Sequence, residues 1–470
     1  MTAVDRFFEI SARGSTVGTE IRGGVVTFIA MAYIIVLNPI ILSGAADVVG
    51  HKLGFTQVSA VTALAAGVMT ILFGVVARLP FAFAAGLGIN SFLASSVVGS
   101  LTWPEAMGLV VINGLIIVAL AISGLRKLIF DAVPMPLKLA ITAGIGLFIL
   151  FIGLIDAGFV GSTGLPSPPL GLGAKGAGSI TTIPTLIFVL TLLVTGILVA
   201  RKVRGGILIG LIAGTVVAVV VEAVWHLGSA VDKPGGWSLS VPTLSGSPFA
   251  VPDLSLVGEF SLASFGRIGI LAGIMLVFTL VFTNFFDAMG TFTGLSRQAG
   301  LSDEHGNFPR LQSALVVEGA GAVVGGAVSA SSNTVFIESG TGIGEGARTG
   351  LASLVTGTLF LAAMFLTPLA AIVPSEVAAA ALVVVGALMA SVLRDIDFDD
   401  FSVTLPVVLT VAVMPLSYSI ANGIGVGFIA WVVLRSASGR AREISPLLWV
   451  VALGFLLYFA RGWIDSLVGV

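Results

Sequence analysis

Three polar side chains stand inside or between long apolar runs: Asn90, Asp287 and Glu338. An acid is costly at membrane depth, so one found there is read as functional. Two kinds of chemistry suit these residues. A carboxyl in a poorly solvated pocket is able to take up and release a proton. A carboxylate also accepts two adjacent N–H bonds from the edge of a planar ring, and charged hydrogen bonds are stronger than neutral ones. Glu338 lies within residues 329–350, a stretch rich in Gly, Ser and Thr between long apolar runs. Such a broken backbone would leave amides and carbonyls unpaired against hydrocarbon, so it must be buried in protein or line a wet cavity. It reads as half of a substrate site. Residues 79–92 read as another discontinuous segment: Pro80, an extended Phe81-Ala82-Phe83-Ala84, then Gly86-Leu87-Gly88, with a half-helix opening near Gly88-Ile89-Asn90.

Each of these residues also has a plainer reading. Asp287 is able to bond a neighbouring helix, and Glu338 to cap the amides of a half-helix that begins just after it. The second role is compatible with holding a ligand N–H. Asn90 either bonds helix to helix or faces a ligand. Phe83 and Phe336 either pack or stack on a planar ring. Glu345 and Arg348 read as an ion pair at the end of the broken stretch, and Glu318 as a structural acid. The histidines (His51, His226 and His305) lack metal-ligand spacing. The Gly-Ile-Gly runs at 342–344 and 423–425 sit in no strand–helix unit that would make them nucleotide loops.

The elements that must position these groups follow from composition. Of the 470 residues 57% are hydrophobic and 10% charged, against roughly 25% charged in a soluble domain. Repeated apolar runs of about 20 residues make an all-α polytopic membrane protein embedded in the lipid bilayer. A net charge of −2 without a basic patch excludes nucleic acid as a partner. The absence of cysteine removes disulfides and thiolate metal sites. No nucleophile–base or metal constellation supports an enzyme. The N-terminus is polar and the first apolar run is long enough to span, so no cleavable signal peptide is expected.

Spans are expected at 23–43, 57–77, 105–124, 135–156, 182–200, 206–227, 266–295, 311–328, 350–372 and 375–393. The first is expected to end near Asn38-Pro39, because proline punctuates a helix. Residues 402–436 read as two short helices meeting at 418–423, and 446–466 as a last apolar segment that either crosses or lies in the interface. Basic residues at Arg78, Arg126, Lys127, Arg201, Lys202, Arg204, Arg297, Arg310, Arg348, Arg394 and Arg435 fall on one side if the N-terminus is cytoplasmic. The chain looks doubled: Ala132-Val133-Pro134 is matched by Ile372-Val373-Pro374, and the third element of each half is broken. An odd number of elements per half, about seven, inverts the second copy. Broken segments at corresponding positions of inverted halves point to a transporter's central site.

On these residues the chain resembles a known family. The runs 83–90, Phe286-Asp287-Ala288-Met289-Gly290-Thr291, Ile337-Glu338-Ser339 and 346–350, with the opening 23–39, are similar to the signatures of AzgA-like purine permeases. These form a branch of the nucleobase–cation symporter-2 (xanthine/uracil permease) family. The resemblance covers nearly the whole chain. It implies fourteen transmembrane segments in two inverted repeats of seven, with short strands in segments 3 and 10. It implies a core domain (residues 1–130 and 263–372) and a gate domain (131–262 and 373–470). It further implies proton-coupled uptake of hypoxanthine, guanine or adenine across the cell membrane, by an elevator within a homodimer, with no cofactor beyond the coupling proton. The expected substrate contacts are Glu338, Asp287, Asn90, Phe83 and Phe336, with Asp287 and Glu338 carrying the proton. The chain departs from the pattern at Gly340-Thr341-Gly342, where Ala-Ala-Gly is usual, and at Phe336, where Tyr is usual. Thr291 stands where uracil-type relatives carry histidine, so no histidine relay is implied. An anion exchanger or channel on the same plan is the competing reading, and it would favour a cation at the centre.

Overall fold

The computed structural model describes residues 3–124, 132–165, 167–173, 176–233, 235–244, 247–302 and 308–468. Arg126, Lys127 and His305 lie outside them. The first half comprises α1 (Val17–Met31), α2 (Ile34–Gly44), α3 (Phe55–Val76), strand β1 (Phe83–Ala85), α4 (Leu87–Phe92), α5 (Trp103–Ser123) and α6 (Met135–Asp156). A small hairpin of β2 (Val160–Ser162) and β3 (Leu170–Leu172) precedes α7 (Ile183–Ala200) and α8 (Gly206–Trp225). The second half comprises α9 (Ile270–Gln298), α10 (Leu311–Ala327), β4 (Asn333–Val335), α11 (Ser339–Gly344), α12 (Gly350–Ala363) and α13 (Ser375–Ala390). It closes with α14 (Phe401–Leu416), α15 (Ile420–Ala437) and a final helix α16 (Pro446–Val468). Taking α1–α2 as one kinked span and leaving the final helix α16 aside, each half has seven segments, and the third segment of each is a strand followed by a half-helix.

The packing carries the signature of inversion. α3 of the first half lies along α12 of the second; the symmetry-related pair, α10 of the second half along α5 of the first, is also present. The pair α6–α13 maps onto itself, and so does the pairing of β1 with β4. Pro134 and Pro374 stand at equivalent places, each at the N-cap of the helix that follows it.

Small residues set these contacts. In lipid, helices gain nothing from hydrophobic burial against one another, so they associate by close packing and interhelical hydrogen bonds. A Cβ added at Gly357 would stand 2.6 Å from the carbonyl oxygen of Gly67 between α12 and α3. The same substitution at Gly114 would stand 2.7 Å from the Gly319 oxygen between α5 and α10, and at Gly146 2.6 Å from the Gly386 oxygen between α6 and α13.

The first span differs from expectation. It does not end at Pro39. The break falls at Ala32-Tyr33, and α2 runs through Pro39 to Gly44. Proline removes the N–H that would have paired with the Ile35 carbonyl one turn back. That carbonyl accepts a hydrogen bond from the Ser59 hydroxyl of α3 at 3.0 Å instead, so the helix continues.

We predict that Gly357→Ala lowers stability by about 1–3 kcal/mol, the usual cost of overpacking. Gly196→Ala on α7, where nothing lies within 4 Å of the added carbon, serves as the control. Thermal unfolding in detergent should separate the two; equal midpoints would show that the α3–α12 contact tolerates a methyl group.

Candidate functional site

The two broken segments meet. β1 and β4 pair antiparallel, with Phe83 opposite Val335, Ala84 opposite Thr334 and Ala85 opposite Asn333. The ladder continues one residue each way: the Phe336 N–H donates to the Ala82 carbonyl and the Gly86 N–H to the Ser332 carbonyl, both at 2.9 Å. Three residues per strand leave many backbone groups over, and side chains take them. The Ala82 N–H donates to Ser339 Oγ at 2.9 Å, and the Phe83 N–H to Thr70 Oγ1 at 2.9 Å. The Ser353 hydroxyl donates towards the carbonyls of both Leu79 and Phe81 at 2.8 Å. The Val335 N–H donates to Glu318 Oε2 at 3.2 Å.

Alternation along the ribbon separates the two aromatic residues. Phe83 and Val335 share one face, which packs into a cluster with Phe73, Phe81 and Phe292; the Phe83 and Phe73 rings lie 4.8 Å apart. Phe336 shares the other face with Ala82 and Ala84. The two rings therefore cannot flank one planar ligand on a single face of the ribbon. Phe83 is fully buried among aromatic rings, whereas Phe336 belongs to the core cluster that contains Tyr33.

Glu338 stands at the N-cap of α11 and makes no side-chain cap bond. Its Oε1 accepts a short hydrogen bond from the Tyr33 hydroxyl at the kink between α1 and α2. Asp287 is half-buried on α9, which packs against both β4 and α11. One turn before it, Asn284 donates from Nδ2 to Ser332 Oγ at 3.1 Å and keeps its Oδ1 without a partner. Asn90 on α4 is fully buried, and neither its Nδ2 nor its Oδ1 has a hydrogen bond. Ser91, Ser331 and Asn333 also carry unpartnered side-chain atoms. A buried polar group left unsatisfied costs about 1–3 kcal/mol. Their concentration at the strand crossing marks it as a place built for hydrogen bonding. The larger clefts lie elsewhere. One of about 600 Å³ runs between α1–α2, α8 and α12, and one of about 560 Å³ between α5 and α9; both are apolar and neither is lined by Asp287, Glu338 or Asn90.

The crossing thus brings Asp287 and Glu338 together with α4 and Asn90 beside them, since α9 touches β4, α4 and α11. The expected Glu345–Arg348 pair does not form. Glu345 pairs with Arg22 and Arg204, while Arg348 donates to the carbonyls of Ile343 and Ala347, each at 2.7 Å. Sequence reading gave no role to Tyr33, although its hydroxyl is a rare polar group in the first span. It also left Glu318 without a partner.

The permease-family model for this class matches residues 18–428. The chain belongs to the xanthine/uracil permease family. This permease is 38% identical over 462 residues to the guanine/hypoxanthine permease PbuG of Bacillus subtilis, covering 96% of this chain and 98% of that one. It is 35% identical over 457 residues to the adenine permease AdeP of Escherichia coli, covering 97% and 95%. Among solved structures, the transmembrane domain of the cyanobacterial bicarbonate transporter BicA superposes with a TM-score of 0.61 at 18% identity, covering 87% of this chain and 97% of that one. That likeness shows the inverted-repeat fold alone. The permease is a multi-pass protein of the cell membrane, and its family is one of transporters rather than enzymes.

Glu318→Gln retains an acceptor for the Val335 N–H, whereas Glu318→Ala strands that buried donor. We predict that the alanine variant loses about 1–3 kcal/mol of stability and that the glutamine variant stays near the parent. Equal unfolding midpoints for the two would show that β4 is held by other contacts.

Proposed function

We propose that this permease carries purine nucleobases of the hypoxanthine, guanine and adenine group into the cell together with a proton. The observation that carries the proposal is the strand crossing itself, at which the helix bearing Asp287 packs against β4 and against the half-helix that opens at Glu338. The purine names borne by the relatives support the substrate class. A purine presents ring N–H and exocyclic or carbonyl groups in one plane. Glu338, oriented by Tyr33, accepts N–H bonds from that edge. Asp287 holds and releases the coupling proton, and Asn90 adds an amide. Phe336 lies on the ribbon face of the site and supplies apolar surface. No charge is offered to an anion: β1, α4, β4 and α11 contain neither Lys nor Arg. An exchanger of anions on this fold would need a cation at that point.

Alternating access is assigned to movement of one packed group past another. Segments 1–4 and 8–11 (residues 1–130 and 263–372) form the moving core. Residues 131–262 and 373–470 form the gate, through which two copies associate as a homodimer. Ion pairs gather the N-terminal segment (Glu9) with the end of α3 (Arg78) and the start of α10 (Arg310) on one face. That basic face is cytoplasmic under the rule that positive residues stay inside.

Uptake of radiolabelled hypoxanthine, guanine, adenine, xanthine and uracil by a host lacking its own nucleobase carriers tests the substrate class. Saturable purine uptake that a protonophore abolishes is expected. Uptake that ignores the protonophore, or that follows sodium alone, refutes proton coupling. Asp287→Asn should bind purine and fail to accumulate it, because an amide keeps one acceptor and cannot cycle a proton. Accumulation by this variant would place the proton elsewhere. Glu338→Gln should lose roughly 1.5–3 kcal/mol of binding, ten- to a hundredfold in affinity, with Tyr33→Phe intermediate. Parent-like affinity in equilibrium binding by Glu338→Gln would move the substrate away from this residue.

A further inference from the structure

The half-helix that begins at Glu338 ends at Glu345, so one rigid turn and a half joins the site to the basic face. The Glu345 side chain is only 7% exposed and is held by two guanidinium groups. Arg22 on α1 lies 3.0 Å from Oε2 and also donates to the Glu345 carbonyl at 3.1 Å. Arg204 reaches Oε1. The two cations differ in what they belong to. α1 packs on α11 and α12. Arg204 stands in the turn between α7 and α8, which pack on each other and on α13. That turn is pressed against α1: a Cβ on Gly205 would stand 2.6 Å from Ile29, and Gly205 has φ +66°. Among the ion pairs between described residues, Arg204–Glu345 alone joins the α11 group to the α7–α8 group.

We propose that Arg204–Glu345 is a breakable latch between the two packed groups: it secures the Glu338 half-helix in the state seen here and opens each time the site is carried to the other side. The inference rests on the alternating-access reading above and adds the contact that holds one of its end states. The chemistry suits a contact made and broken in every cycle. Arg204 is 66% exposed, so water solvates it when it leaves. Exposed ion pairs are weak and are screened by salt. Arg22 stays with Glu345, so the buried carboxylate is never stranded without a cation, the situation that makes breaking a buried pair costly.

The chain has no cysteine, so introduced thiols report without background. Spin labels at Arg201→Cys, on the exposed turn, and Gly344→Cys, where nothing lies within 4 Å of an added Cβ, measure the separation of the two groups by pulsed electron resonance. The expected result is a dominant short distance and a minor longer one. Arg204→Gln should shift their ratio at least threefold towards the longer, Arg204→Lys should restore much of the short population, and raising salt should act in the direction of Arg204→Gln. A ratio that Arg204→Gln leaves unchanged overturns the latch. Purine uptake is measured on the same variants. Uptake absent from the parent chain refutes the proposed substrate, while the distances still decide the latch. Parent-like uptake rates in Arg204→Gln despite a shifted ratio would show that the contact holds a state outside the transport cycle, which also overturns it.

Discussion

Every backbone amide and carbonyl at mid-membrane must be paired within the protein, and the strand crossing exists on that condition. A strand of three residues cannot satisfy itself. β1 and β4 satisfy each other, and because they come from inverted halves they meet antiparallel at the centre. The remaining groups are taken by Thr70, Ser339, Ser353 and Glu318, each from a different segment. The crossing is therefore a joint product of both halves, and neither broken segment is stable at that depth alone. The break in each helix is what admits polar side chains to the middle of the membrane.

Close helix packing follows from the same solvent. With no hydrophobic gain between helices in lipid, contacts such as Gly67–Gly357 and Gly114–Gly319 bring backbones together and fix the segments that flank the crossing. The repetition of this device at symmetry-related pairs gives the broken segments matching surroundings. The side chains at the centre depart from the symmetry. Glu338 at the start of α11 has no acidic counterpart at the start of α4, where Asn90 is the polar residue. The centre is asymmetric in that one half contributes a carboxylate and the other an amide.

Charge is distributed with the same economy. Acids at the centre are few and are oriented by neutral donors, as the Tyr33 hydroxyl orients Glu338. Among the described residues the ion pairs lie at or beyond the ends of the segments. The short length of α11 links the two regimes, because only six residues separate Glu338 from the carboxylate of Glu345 and its two arginines.

The sequence by itself determined the segments and their inversion, because solubility in lipid is a local property: an apolar run of sufficient length is a span, and a Gly-rich polar stretch at the same depth is a break. It also placed Asn90, Asp287 and Glu338 at those breaks or inside spans, since the cost of a polar group in hydrocarbon is read from its neighbours. Tertiary structure alone decided the partners. Tyr33 and Glu338 lie 305 residues apart, and their contact depends on a kink at Ala32-Tyr33 that no Gly or Pro announces. Pro39, the residue expected to end that span, is accommodated because Ser59 of another helix takes the freed carbonyl. The faces of the ribbon put Phe83 and Phe336 on opposite sides, and the meeting of two packed groups gave Glu345 to Arg204 instead of Arg348. Pairing across hundreds of residues is set by how the inverted halves interlock, and local composition carries no record of it.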